Sequence, residues 1–517
     1  MLSLEAKIGQ ILMFGFKGTS VTPHMEEFIV KHNLGGVIHF SRNVQNPKQL
    51  AELNQELQGL AKRSPSGSEL LISIDQEGGT VARLTTGVTV LPSAMAFGAT
   101  DNVELTEKAC EIAGLELRAT GINMNLAPVV DVNNNPLNPV IGVRSFGEDP
   151  ESVAKLGAAA IRGYQKHVAA VAKHFPGHGD TDLDSHLDLP IIPHSRERLD
   201  QVELLPFKEA IAEGVAAIMT AHVVFPAIEA TPGLPSTLSY QVLTKLLREE
   251  LGFEGLIMTD CMEMAAIQDT YGTVEAAVMA VEAGADMVLV SHLEELQRGA
   301  FEALLGAVRS GRITEERIDQ SLARIQKAKD DLKHEQSELA VVGSPAHIEV
   351  VREAIRRSIT LVQGEDQLPL TQKSVLVVEP VRKATNIAED VLMDMGTLEL
   401  SLKANGFVDV VHCPIEMEVS PADHENVLAQ APEYETVVFV TSDAHRHQGQ
   451  ARLVHDLVHK GSKVIVVGSG TPYELPELPR DITYLVAYGS RPLVWDEVAQ
   501  ILLGKNEAQG KLPVSPV

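Results

Sequence analysis

The sequence predicts an α/β protein of two units, a TIM-like (β/α)8 barrel followed by a smaller, doubly wound α/β domain (an αβα sandwich). Three observations carry this. At 517 residues the chain exceeds what one hydrophobic core organises, so two domains are expected. Apolar strand-like runs alternate with helical segments over the first two-thirds. Near residue 330 a charged helical stretch interrupts that rhythm, which restarts from about residue 373.

In order, the barrel strands are expected at residues 11–16, 35–40, 70–75, 122–128, 168–174, 216–222, 255–260 and 285–291. Helical patterns at 102–119, 150–166, 196–213, 274–283 and 294–310 lie between several of them. In such barrels the C-terminal ends of the strands build the active site. Topology should therefore bring together Asp75, His174, His222, Asp260 and Ser291–His292, all of which sit at strand ends. The barrel is expected over 1–335, a connector with a helix at 346–362 over 336–372, and the sandwich over 373–517. Within the sandwich, strands are read at 375–378, 408–412, 437–441, 464–467 and 484–487, about five and parallel, with helices at 451–459 and 492–503. Gly468-Ser469-Gly470 lacks the third glycine of a dinucleotide turn and is read as a plain turn; His445-Arg446-His447 is read as a solvated loop.

Composition narrows the function. Hydrophobic residues make up 44% and charged residues 22%, as in soluble globular proteins. Net charge is 43 − 70 = −27, which argues against nucleic acid or an anionic membrane as the main partner. Cys110, Cys261 and Cys413 lie far apart and are odd in number, which fits a reducing compartment better than a disulfide framework. The opening MLSLEAKIGQILMFGF reads as mature protein, and no stretch approaches a membrane span, so a cytoplasmic location is expected.

The chemistry concentrates between Lys173 and Pro190, KHFPGHGDTDLDSHLDLP. A buried strand delivers Lys173 and His174, then a polar loop places His178 and His186 among Asp180, Asp182, Asp184 and Asp188. Such a row of acids is costly to hold together without a use. Asp260 ends the run GLIMTD; a carboxylate there is in use, paired, or the N-cap of the next helix. Asp75 ends another strand and is followed by Gly78-Gly79, which let a ligand approach the backbone; Arg83 follows. Arg144 comes after the Asn- and Pro-rich stretch 133–139, where a lone arginine would ordinarily be a surface ion pair.

The segments DQEGG, RSFG, KHFPGHGDTDLDSH and MTD, with the opening IGQILMFGF and GGVIHFSRN, together resemble glycoside hydrolase family 3, in the two-domain type of its β-N-acetylhexosaminidase branch. The resemblance implies that Asp260 is the nucleophile, that His186 is the acid/base and that Asp184 orients it. It implies that Asp75, Arg83, Arg144, Lys173 and His174 bind the sugar. No cofactor and no metal are implied, and the partner is a small carbohydrate. The activity expected is a retaining exo-β-N-acetylglucosaminidase acting on terminal β-linked N-acetylglucosamine, with cell-wall fragments as the source. Cys261 and Met262 depart from the residues many relatives carry after the nucleophile, which bears on fine substrate preference.

Alternatives on the same scaffold are a β-N-acetylglucosaminide phosphorylase or a β-glucosidase. A histidine base lowers the repulsion an incoming phosphate would meet from a carboxylate base. A metal-dependent hydrolase would use His174, His178, Asp180, Asp184 and His186 as ligands. Spacing opposes a calcium loop: counting from Asp180, Ser185 stands where glycine is needed and Ile191 where glutamate is needed. A sugar-binding protein without catalysis would not need the set Asp260, Asp184 and His186.

Overall fold

The computed structural model describes residues 2–182, 189–332, 337–370, 374–381 and 396–516. In chain order its first strands are β1 (Leu12–Phe14), β2 (Gly36–His39), β3 (Leu71–Ile74), a short antiparallel pair β4 (Gln76–Gly78) and β5 (Val81–Ala82), then β6 (Met124–Asn125), β7 (Ala169–Phe175), β8 (Ala217–Thr220), β9 (Leu256–Cys261) and β10 (Met287–Val290). All except β4 and β5 pair in parallel and close as β1-β10-β9-β8-β7-β6-β3-β2. This is the eight-stranded barrel expected. Every residue of β1, β2, β3, β7, β8 and β10 is buried, because one face packs inside the barrel and the other under the helices.

Three expected elements differ. The strand expected over 122–128 is short because Pro128 offers no N–H to the ladder. The chain still runs beside β7, with the Val171 amide donating to Ala127 O at 2.9 Å and the Val130 amide to Lys173 O at 2.8 Å. The helix expected over 196–213 is two, Arg196–Gln201 and Leu205–Ala212, with Pro206 in the first turn of the second, where its missing N–H costs nothing. The connector helix is Pro345–Ser358 and stops short of 362.

Thr360–Gln363 instead forms strand β11, so the second sheet begins inside the stretch read as connector. Its other strands are β12 (Val375–Val381), β13 (Val410–Glu416), β14 (Thr436–Thr441), β15 (Lys463–Gly468) and β16 (Thr483–Val486). The order is β11-β16-β15-β14-β12-β13, with β12 to β16 parallel and β11 antiparallel on the edge. Helices Gln448–His459 and Pro492–Leu502 belong to this unit. The end of the chain returns to the barrel, where the Lys511 amide donates to Ala99 O at 2.9 Å and the Glu148 amide to Pro513 O at 3.2 Å. No helix of the described residues is long and apolar enough to cross a membrane.

Candidate active site

A cavity of about 280 Å³ opens at the C-terminal ends of the barrel strands. Asp75, Arg83, Arg144, Lys173, His174 and Asp260 all line it, although they are up to 185 residues apart in sequence (260 − 75). Asp184 and His186 lie outside the described residues.

The floor is a cluster of buried charges. Lys173, at the end of β7, sets its ammonium 2.8 Å from Asp75 Oδ1 and 2.7 Å from Glu77 Oε1. Arg144 grips Glu77 with two parallel bonds, Nε to Oε2 at 2.9 Å and Nη2 to Oε1 at 2.8 Å. Arg83 adds a third cation, with Nη2 at 3.5 Å from Asp75 Oδ2. Burial opposes the ionisation of Glu77, but the charges and hydrogen bonds of Arg144 and Lys173 outweigh it and hold its carboxyl below the ordinary range. Burial likewise opposes the charge on Lys173, and Asp75 and Glu77 overcome it, so its pKa is raised. Both cations are therefore permanent donors for a hydroxylated ligand.

Local sequence explains how these groups meet. Gln76 pins the β4–β5 hairpin: its Oε1 accepts from the amides of Arg83 (3.0 Å) and Leu84 (3.1 Å), and its Nε2 donates to Leu84 O at 2.7 Å. That return brings Arg83 back beside Asp75. The turn requires Gly78, whose φ is 104° and whose Cβ, if present, would stand 2.5 Å from Pro92 O.

His174 is oriented by Asp131, a fully buried acid. Nδ1 lies 2.7 Å from Asp131 Oδ2, and Nε2 lies 3.5 Å from Arg144 Nη2. Arginine only donates, so Nδ1 carries the hydrogen that Asp131 accepts. Asp131 also accepts from the amides of His174 (3.2 Å) and His178 (2.7 Å). Burial opposes its ionisation, and His174 and His178 outweigh that, lowering its pKa.

Asp260 sits in β9 on the opposite wall, half-buried, with Oδ1 accepting from the Cys261 amide at 2.6 Å. It does not cap a helix, since Ala265–Gln268 begins after Met264. Two neighbours fix its backbone. His222 stays outside the cavity and donates from Nε2 to Cys261 O at 3.0 Å, with Nδ1 held by Thr237 Oγ1 at 2.8 Å. Glu263 accepts three amides, Ser291 and His292 at 2.6 Å and Leu293 at 2.9 Å, tying the segment after β9 to that after β10.

Sequence reasoning passed over Glu77, Asp131 and Glu263. For Glu77 the signal was its place two residues after Asp75 in an extended run, which puts both on one side. For Asp131 it was an acid inside the apolar run Val129–Val132.

Two groups among the described residues have metal-ligand chemistry, one of them Asp180 with His194 and Glu203. Of the five expected ligands, His174 bonds Asp131, His178 Nδ1 meets Thr181 Oγ1 at 3.1 Å, and Asp180 meets His194 Nε2 at 2.6 Å. Cys261, Glu263 and His292 come together at the cavity wall. Burial and the neighbouring Glu263 push the Cys261 thiol up to about 12, and His292 Nδ1 accepts from Arg42 Nη1 at 3.1 Å. The Arg42 guanidinium beside this group disfavours a cation there.

Known proteins share both the sequence and the shape. Residues 3–328 match the family described as glycosyl hydrolase family 3 N terminal domain. A protein named β-hexosaminidase A from Pseudoalteromonas piscicida is 34% identical over 554 residues, covering 96% of this chain and 92% of that one. A protein from Cellulomonas fimi named β-N-acetylglucosaminidase/β-glucosidase is 31% identical, covering 86% of this chain and 83% of that one. The solved structure of a family 3 β-N-acetylglucosaminidase from Paenibacillus sp. superposes with a TM-score of 0.95 at 45% identity, covering 100% of this chain and 99% of that one.

Proposed function

This chain belongs to glycosyl hydrolase family 3, and from that premise we propose that it is a retaining exo-β-N-acetylglucosaminidase working through a glycosyl-aspartate. The relatives named β-hexosaminidase and β-N-acetylglucosaminidase, which span nearly the whole chain, support the substrate class. One observation carries the mechanism: the Asp260 carboxylate and the Lys173–Asp75–Arg83 and Arg144–Glu77 cluster line a single cavity of about 280 Å³. That volume is at or below the small end of ligand cavities, roughly 300–1,000 Å³, and suits one sugar unit at a chain end.

In the first step a carboxylate oxygen of Asp260 attacks the anomeric carbon as the bond to the leaving oxygen breaks. His186, oriented by Asp184, gives that oxygen its proton. In the second step His186 takes a proton from water, whose oxygen attacks the same carbon and frees Asp260. Asp75, Lys173, Arg83, Arg144 and His174 hold the sugar through its hydroxyls and N-acetyl group. Cell-wall amino-sugar fragments fit this glycone.

A panel of nitrophenyl glycosides, with NMR of the first-formed product, tests the reading. N-acetyl-β-glucosaminide should be preferred and the β anomer of the product should appear first. First appearance of the α anomer would exclude retention.

Two further results are expected. His186→Ala should slow substrates with poor leaving groups about 10²- to 10⁴-fold while sparing activated aryl glycosides, and Asp184→Asn should match it without adding to it. Equal losses on both substrate types would make His186 a binding residue. Dialysis against a strong chelator should leave turnover unchanged; a loss restored by zinc or manganese would favour the metal-dependent reading.

A further inference from the structure

Residues 133–144 lead from the second domain to Arg144. Arg144 borders both the active-site cavity and a second one of about 160 Å³, which lies between this segment and the second domain. Apart from the turn Gly142–Arg144, the segment has no helix or strand, so its buried backbone must be satisfied by side chains. Two buried asparagines do this. Asn138 Oδ1 accepts from the amides of Val140 (2.9 Å) and Ile141 (2.8 Å), and its Nδ2 donates to the carbonyls of His178 (2.8 Å) and Gly179 (2.9 Å). Asn133 Oδ1 accepts from the Gly142 amide at 3.1 Å. The carbonyl of Val140, fixed in this way, accepts from Arg144 Nη1 at 3.1 Å. The asparagines thus set both the turn that carries Arg144 and one partner of its guanidinium.

The second domain holds this segment. The Tyr473 hydroxyl donates to Asn133 O at 2.7 Å, and Asn133 Nδ2 donates back to it at 3.3 Å. His445 donates to Pro136 O at 3.0 Å, so it is an interdomain contact and not the solvated loop residue expected. On the far side of Arg144, the returning chain end closes on Gly147, where a Cβ would stand 2.5 Å from Pro513 O. Tyr473 also belongs to an apolar cluster with Met95, Ala96 and Ala99, against which Val143 packs, so packing and these hydrogen bonds together hold the segment against the second domain.

We infer that Tyr473 and Asn133 are positioning residues for Arg144, so that the second domain sets the sugar affinity of a site that lies in the barrel. The inference rests on the proposed role of Arg144 in holding the sugar. Tyr473 does not line the active-site cavity, and its hydroxyl bonds to Asn133 of this segment. Its removal should therefore act on binding and leave the chemical step alone.

The test is a double-mutant cycle in the full chain, with a thermal midpoint recorded for each variant. Tyr473→Phe keeps the ring and deletes only the hydroxyl. It should raise the KM for 4-nitrophenyl N-acetyl-β-glucosaminide and the Kd for free N-acetylglucosamine about three- to tenfold, the equivalent of one hydrogen bond, with kcat within about twofold. Asn133→Ala should follow the same pattern and serves if the first variant loses its fold. Arg144→Ala should weaken binding further, and Tyr473→Phe should add nothing in that background. An equal effect in both backgrounds, or no effect of either positioning variant, overturns the inference. If Arg144→Ala itself leaves KM and Kd unchanged, the assignment of Arg144 to the sugar site fails, and the inference with it.

Discussion

Asp260→Asn should lose turnover by about a factor of 10⁴ or more while still folding and still binding N-acetylglucosamine. An amide has almost the same shape as the carboxylate but does not form the glycosyl ester, so the loss should fall on kcat. The fold should tolerate the change, because the side chain is half-buried and its Oδ1 contact to the Cys261 amide can be kept by an amide oxygen. The backbone is held independently by His222 on Cys261 O and by Glu263 on the amides after β10. Retained binding with lost turnover, measured by titration calorimetry and a nitrophenyl assay, separates this from a collapsed site. Substantial turnover in Asp260→Asn would mean that another group forms the intermediate.

The second large effect belongs to Glu77. Glu77→Gln leaves Arg144 and Lys173 buried with one carboxylate fewer, and breaking a buried pair of this kind costs about 3–5 kcal/mol. The sign of the pH dependence follows from the lowered pKa of Glu77. A carboxyl depressed on folding stabilises fully above its unfolded value of about 4.3, and that stabilisation fades as pH falls through and below it. The gap in stability between the native chain and Glu77→Gln should thus be flat through neutral pH and narrow in acid. Urea unfolding at several pH values reads this directly. An unchanged midpoint at neutral pH would show that the two cations do not depend on Glu77. Sugar binding should weaken in parallel, because Glu77 orients both donors.

The legible part of the site was the part carried by strand ends. Asp75, Lys173, His174 and Asp260 each follow or end an apolar run, and the closed barrel brings such positions together whatever their spacing. Arg83 and Arg144 are different. They reach the cavity from a hairpin and an irregular turn, through the pin of Gln76 and the caps of Asn133 and Asn138, and nothing local to either arginine announces this. Arg144 opens the motif RSFG, and Arg83, four residues beyond DQEGG, was implied by the family resemblance alone. His222 shows the converse: a strand-end histidine that supports the backbone beside Asp260 and stays out of the cavity. In the fold, β11 was hidden because Ile359–Val362 continues an apolar face of the preceding helix, while its β-branched residues pair with β16. That choice between helix and edge strand is made by the partner and not by the run itself.

The mechanism turns on a covalent bond to Asp260. An activated 2-deoxy-2-fluoro glycoside should trap the intermediate, and mass spectrometry of the digested protein should place the adduct on the peptide containing Asp260. An adduct on any other carboxylate, Glu263 or Asp269 of the same cavity included, would contradict the assignment.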